Sequence, residues 1–185
     1  MIFPANDEPG FEWHVLQCHP VVPQHRLTQV RAGIARHKDL LALRYEIIGD
    51  LQVINIPAPT PSLRRDELWR HTCAELFITT EESAKYVEYN FSPSSQWAAY
   101  SFSDYRQGME LLPTESPEVV RLEEQSRLLI TAAIRTSDQY RGVAIRAGLS
   151  MVIENNDGAC SYWALRHDLS RPDFHRRENW LCSLP

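Results

Sequence analysis

The chain has 185 residues, 43% of them hydrophobic and 23% charged, with a formal charge of −5 at neutral pH. One core at this length buries about 70% of the unfolded surface, so a single domain over residues 1–185 is expected. The composition excludes a disordered chain, the mild acidity excludes the basic stripe that nucleic acid requires, and no apolar run approaches the roughly 18–20 residues that span a bilayer.

The N-terminus, MIFPANDEPGFEW, carries neither a basic nor an apolar signal region, which predicts a cytoplasmic protein. Val30, Ala32 and Ile34 alternate with Gln29, Arg31, Gly33 and Ala35, and Leu41, Leu43, Tyr45 and Ile47 alternate with Ala42, Arg44, Glu46 and Ile48. This period of two on either side of His37 to Asp39 predicts a hairpin. Leu51 to Ile56 is read as a further strand, stopped by Pro57, Pro59 and Pro61, and Ser62 to Leu68 as a short helix with Ser62 at its N-cap.

Strands are predicted at residues 73–80, 85–91 and 96–103, separated by the turn compositions EES and SPSS. Tyr105 to Pro117 lacks periodicity and is read as a long loop bordering a site. Further strands are expected at Val119 to Glu123, around Leu128 to Ile134 and Ala147 to Ile153, at Cys160 to Arg166 and, after a polar loop, at Asn179 to Leu184. About ten strands and at most one or two short helices make the chain all-β, a two-sheet sandwich of jelly-roll type. The cysteines Cys18, Cys73, Cys160 and Cys182 form no CxxC pair and are read as buried free thiols.

Strand parity also assigns faces. With Ala74, Leu76 and Ile78 toward the core, Cys73, Glu75 and Phe77 turn away, and on the next strand Tyr86, Glu88 and Asn90 oppose Val87, Tyr89 and Phe91. Placing Ala98, Tyr100 and Phe102 inward turns Trp97 outward, and placing Trp163 and Leu165 inward turns Tyr162 and Arg166 outward. The outward set is then Glu75, Glu88, Asn90, Trp97, Tyr162 and Arg166, with Trp69 arriving at one edge. Carboxylates, an amide and a guanidinium bond hydroxyls, and an indole face packs on the C–H face of a sugar ring.

The run LWRHTCAELFI, followed by YVEYNFSPSSQWAAYSF, LSMVIE, SYWALRHD and RPDFH, resembles the DOMON-like domains, related to the family 9 carbohydrate-binding modules. The resemblance covers about Leu40 to Leu184 and implies a jelly-roll sandwich that binds a sugar or, in other DOMON members, a haem. It implies sugar-binding roles for Trp69, Glu75, Glu88 and Asn90. Trp97, Trp163 and Phe174 are the candidates for a second aromatic wall, and alternation favours Trp97. The N-terminal reading favours a small intracellular sugar, a nucleotide sugar or a cell-wall precursor as ligand.

The segment RHDLSRPDFHRR is read as a rim, with Arg166 and His167 or His175 holding an anionic substituent and Asp173 beside them. A metal is the sharper alternative, since His71, Cys73 and Glu75 share two-residue spacing. Haem, which the resemblance allows, would need Met109 with His167 or His175. A glycosidase would need two carboxylates about 5–10 Å apart, which Glu75 and Glu88 on adjacent strands could supply. No GxSxG, P-loop or Rossmann fingerprint occurs. The reading that follows is a non-catalytic module for a small carbohydrate with no cofactor expected; a metal-dependent or glycosidase-like enzyme using Glu75 and a His, a haem-binding module and a protein-interaction module are the alternatives.

Overall fold

A computed structural model describes residues 10–22, 26–168 and 170–185, and the N-terminal stretch examined for a signal lies mostly outside them. Among the described residues the strands are β1 (Glu12–Val15), β2 (Gln17–Cys18), β3 (Leu27–His37), β4 (Leu40–Gly49), β5 (Cys73–Thr80), β6 (Tyr86–Phe91) and β7 (Trp97–Phe102). They continue with β8 (Glu110–Leu111), β9 (Glu118–Glu124), β10 (Arg127–Arg135), β11 (Ile145–Glu154), β12 (Cys160–Ala164) and β13 (Cys182–Leu184). The only helical elements among these residues are single 3-10 turns, and none is long and apolar enough to cross a membrane.

The strands form a two-sheet β-sandwich. The smaller sheet has the order β1-β3-β4-β10-β9 and the larger β2-β12-β11-β5-β6-β7-β8, with β13 sharing an edge of β11 with β12. Every ladder is antiparallel, as expected for sheets joined by short turns. The predicted alternation is clearest in β10, where Leu128, Ile130, Ala132 and Ile134 are buried and the residues between them are not.

The inner faces interlock Ile34, Leu43, Ile47 and Ile130 of the smaller sheet with Leu76, Ile78, Phe91 and Met151 of the larger. Burying each such side chain contributes about 1.5–3 kcal/mol before chain entropy is subtracted. Tyr45 crosses this core and donates its hydroxyl to the Glu75 carbonyl at 2.7 Å, which pins the centre of β5 from behind.

The outer face of the larger sheet is also covered. Phe77, Tyr86, Tyr100, Phe102 and Trp180 form a second apolar cluster, joined by the partly buried Trp69 and Phe174. Trp180 lies where a side chain at position 148 would be: a Cβ on Gly148 would meet its ring at 2.2 Å. The indole stacks on Phe77 at 5.6 Å and donates its N–H to the Phe174 carbonyl at 2.8 Å. A glycine in β11 thereby seats the ring that holds the segment around Phe174 over the sheet.

Three expectations are corrected. The phase of β7 is inverted: Trp97 and Ala99 pair opposite Phe91 and Tyr89 and join the inter-sheet core, while Ala98, Tyr100 and Phe102 face outward beneath the second cluster. Leu51–Val53 is a 3-10 turn, because the Asp50 carboxylate accepts from the Gln52 N–H and holds the chain in a turn. Residues 62–67 form no helix and a 3-10 turn begins only at Leu68, since the Leu63 carbonyl and the Arg65 N–H are taken by Trp97 at the start of β7.

Candidate functional site

The antiparallel register of the larger sheet brings one row of side chains together. Glu75 on β5 stands opposite Asn90 on β6 and Ser150 on β11, Phe77 stands opposite Glu88, and Val152 stands opposite Tyr162 on β12. Directly opposed residues share a face, so these groups form the floor of the outer side. Above them lies a cleft of about 320 Å³, lined by Trp69, Glu75, Glu88, Phe102, Arg106, Met109, Val152, Tyr162, Pro172, Phe174 and His175.

Trp69 reaches the cleft from the 3-10 turn Leu68–Arg70 and is braced edge-on against Tyr100 at 5.5 Å. Phe174 enters from the loop after β12, held by Trp180. Arg106 comes from the turn between β7 and β8, where it adopts a left-handed φ of 53°. That conformation is unfavourable for a residue with a side chain and is retained because the turn is held on several sides. The Arg106 N–H donates to the Tyr86 hydroxyl at 3.2 Å and its guanidinium donates to Asp173 at 2.8 Å, while Tyr105 donates its hydroxyl to the other oxygen of Asp173.

These contacts surround His175. Its Nδ1 lies 2.7 Å from the Tyr86 hydroxyl. That hydroxyl accepts from the Arg106 N–H and keeps a proton of its own that Nδ1 can accept. The Nε2 faces Glu88 at 3.8 Å, too long for a hydrogen bond. Burial, reinforced by the Arg106 charge, holds the imidazole down to about 4, so it is neutral at physiological pH and makes no ion pair with Glu88.

The two carboxyls are displaced the other way. Burial, reinforced by the neighbouring Glu88 charge, pushes Glu75 well above the usual carboxylate range. Burial likewise pushes Glu88 up to about 7, against the opposing effects of the Asn90 amide, which donates to it at 2.7 Å, and of Arg106. Burial would raise Asp173 too, but the Tyr105 hydroxyl and the Arg106 guanidinium hold it below its ordinary value. The Arg106 guanidinium is therefore bonded by Asp173, and among the described residues no guanidinium bonds the floor carboxyls.

The expected residues divide clearly. Trp69, Glu75, Glu88 and His175 line the cleft; Asn90 lies behind it and orients Glu88; Asp173 lies beside it and orients Arg106. Trp97 is on the opposite side of its sheet, with Arg64 stacked over its ring at 4.5 Å, and Trp163 belongs to the inter-sheet core, so of the three candidates for a second aromatic wall Phe174 is the one that lines the cleft. Arg166 is exposed and does not line the cleft; His167 bonds the Gln17 carbonyl through Nε2 at 2.9 Å and lies outside it as well. The cation of the cleft is Arg106, whose sequence signal was a Gly-containing loop after an aromatic strand and nothing sharper.

The metal spacing does not become a metal geometry. His71 precedes β5, is exposed and bonds Glu154 at 2.9 Å, while Cys73 is buried with its thiol toward Asn90. Among the described residues no group of three or more His, Cys, Asp or Glu is placed to hold an ion. Of the residues considered for haem, Met109 and His175 line the cleft and His167 does not; His175 already gives its Nδ1 to Tyr86.

Comparison with solved structures finds the same architecture in other proteins. A candidate carbohydrate-binding protein of Bacteroides uniformis aligns over 92% of this chain and 84% of its own, at 14% identity and a TM-score of 0.65. Two structures of a family 9 carbohydrate-binding module from Caldicellulosiruptor kristjanssonii also align. The complex with cellotriose covers 84% of this chain and 72% of that one at 8% identity and TM-score 0.55, and the complex with glucose 83% and 73% at 10% and 0.52. The fold is shared with family 9 modules. No protein-family model matches the sequence, and no curated protein sequence matches it. The resemblance seen in the sequence thus holds at the level of the fold.

Proposed function

We propose that the protein binds a small carbohydrate in the cleft over its larger sheet and releases it unchanged. The observation that carries this reading is the lining itself, in which two aromatic rings, Trp69 and Phe174, border a floor of hydrogen-bonding groups. Rings of this kind cover the C–H faces of a sugar, and a floor of carboxyl, guanidinium and imidazole groups matches its hydroxyls. The fold neighbours support it, since family 9 modules are seen with cellotriose and glucose.

In this reading Glu75, Glu88 and the His175 Nε2 bond the ligand hydroxyls, Arg106 takes the role first given to Arg166, and Asn90 and Asp173 are positioning residues. No cofactor takes part. Calorimetry against a panel of mono- and oligosaccharides tests it: wild type binds at least one sugar, and Trp69→Ala and Glu75→Ala remain folded by circular dichroism while losing that binding. If both variants unfold, these residues are structural and the reading fails. Metal analysis and a visible absorption spectrum of the purified protein test the absence of a metal or haem.

One observation favours a second reading. Glu88, near 7, sits in the range that suits a general acid, with a second carboxyl on the neighbouring strand. Release of nitrophenol from aryl glycosides that disappears in Glu88→Gln would replace binding by hydrolysis.

A further inference from the structure

The floor of the cleft contains a carboxyl that no protein group satisfies. Glu75 is only 3% exposed, lines the cleft, and among the described residues its carboxyl makes neither a hydrogen bond nor an ion pair. Glu88, 5% exposed, is bonded by the neutral Asn90 amide and by no Lys or Arg. Buried carboxyls are ordinarily paired with a cation, because an isolated buried charge is costly. Arg106, the cation that lines the cleft, is engaged by Asp173 at 2.8 Å.

The other groups around the pair do not supply the missing charge. From the loop after β12 come Asp173, His175, neutral and bonded to Tyr86, and Arg176, whose partners are Asp168 and Glu178. From β12 comes Tyr162, and from β5 itself the buried Cys73 thiol. A metal ion is poorly served, since among the described residues no group of three or more His, Cys, Asp or Glu is placed to hold one. The aromatic rings of Trp69, Phe102 and Phe174 that line the cleft instead suit an organic ammonium, which ring quadrupoles stabilise.

We propose that the ligand itself brings the counter-charge: it is an amino sugar with a free ammonium, and that ammonium lodges at Glu75 and Glu88. The proposal rests on the carbohydrate reading above and narrows it. A neutral sugar draws no protons from the carboxyls, whereas an ammonium favours their ionised form and releases the protons they still hold. Linkage then makes the preference for the cation grow as pH rises through the titration of Glu88, for as long as the ligand amine stays protonated.

The test is calorimetry with glucosamine, N-acetylglucosamine and glucose between pH 6 and 7.5, in buffers of different ionisation heat so that protons are counted. Glucosamine binds about tenfold or more tighter than N-acetylglucosamine at pH 7.5, the change that follows when binding lowers one carboxyl by about one pH unit. Its binding releases protons, and the preference shrinks in Glu88→Gln. Equal affinity for the three sugars, or proton uptake with glucosamine at pH 6, where the sugar amine is already protonated, overturns the ammonium proposal and leaves the carbohydrate reading standing. Failure of all three sugars, together with a wider panel, to bind overturns both.

Discussion

The two outer faces of the sandwich each hide carboxyls on central strands and treat them in opposite ways. On the smaller sheet Glu46 of β4 is 1% exposed and is gripped by Arg31 from β3 and Arg127 from β10. Burial alone would raise its carboxyl, but the two guanidiniums hold it below its ordinary value. On the larger sheet Glu75 and Glu88 are just as hidden, lack a guanidinium partner, and are raised. Burial is common to both faces, so it is not what marks a site. The distinguishing feature, among the described residues, is that no Lys or Arg bonds the carboxyls beneath the cleft, whereas Glu46 is a structural cross-link between three strands.

The largest expected effect falls on the layer that covers the larger sheet. Trp180→Ala removes the ring stacked on Phe77 and is expected to cost about 3–5 kcal/mol, and Gly148→Ala, which drives a methyl into that ring, about 1–3 kcal/mol, by urea denaturation. On the other outer face Leu122 is 50% exposed, and Leu122→Ala is expected to stay within about 0.5 kcal/mol. Equal losses on both faces would remove the distinction between a covered and an open sheet.

Stability against pH sharpens the comparison, because the two kinds of carboxyl have opposite signs. For Glu88, raised from 4.5 to about 7, the stabilising contribution is present below the unfolded value and lost as pH rises through the folded one. Glu88→Gln is therefore expected to match wild type near pH 4.5 and to exceed it by about 3 kcal/mol at pH 8. For Glu46, lowered from 4.5, the contribution is present above the unfolded value and lost as pH falls. Glu46→Gln should be about 1–2 kcal/mol less stable than wild type at pH 7, a loss moderated by the solvent exposure of both guanidiniums, with the gap closing in acid. His175 contributes a fall of its own toward acid, between 6.5 and about 4, which is common to both comparisons and cancels in the differences.

On the larger sheet the smallest effect on stability is expected at the cleft wall. Trp69 is partly buried against Tyr100, and Trp69→Ala should cost about 1 kcal/mol or less while weakening sugar binding about tenfold or more. A stability loss as large as that of Trp180→Ala would make Trp69 a core residue.

Much of the fold was legible because one phase of each long strand is plainly apolar: Leu41, Leu43, Tyr45 and Ile47 admit one inward face, and so do Leu128, Ile130, Ala132 and Ile134. In β5 and β6 the charged Glu75 and Glu88 fixed the phase. In β7 the run WAAYSF offers apolar residues in both phases, and both faces of that sheet are in fact buried, so parity had no polar marker and chose wrongly. The strands β1, β2 and β8 are two to four residues long and carry little periodicity. Arg106 was hidden for another reason. Its place in the cleft is set by a left-handed turn and by Asp173, 67 residues away, and no local pattern encodes such a contact.

The most direct test of the central claim is a carbon-13 NMR titration of the Glu75 and Glu88 carboxyls, with Glu46 as internal reference, in the presence and absence of a sugar that binds. Glu75 and Glu88 are predicted to titrate well above Glu46, with Glu88 near 7, and both carboxyl signals are predicted to move on sugar addition while Glu46 does not. Ordinary carboxylate titration at Glu75 and Glu88, with signals indifferent to the sugar, would contradict the account.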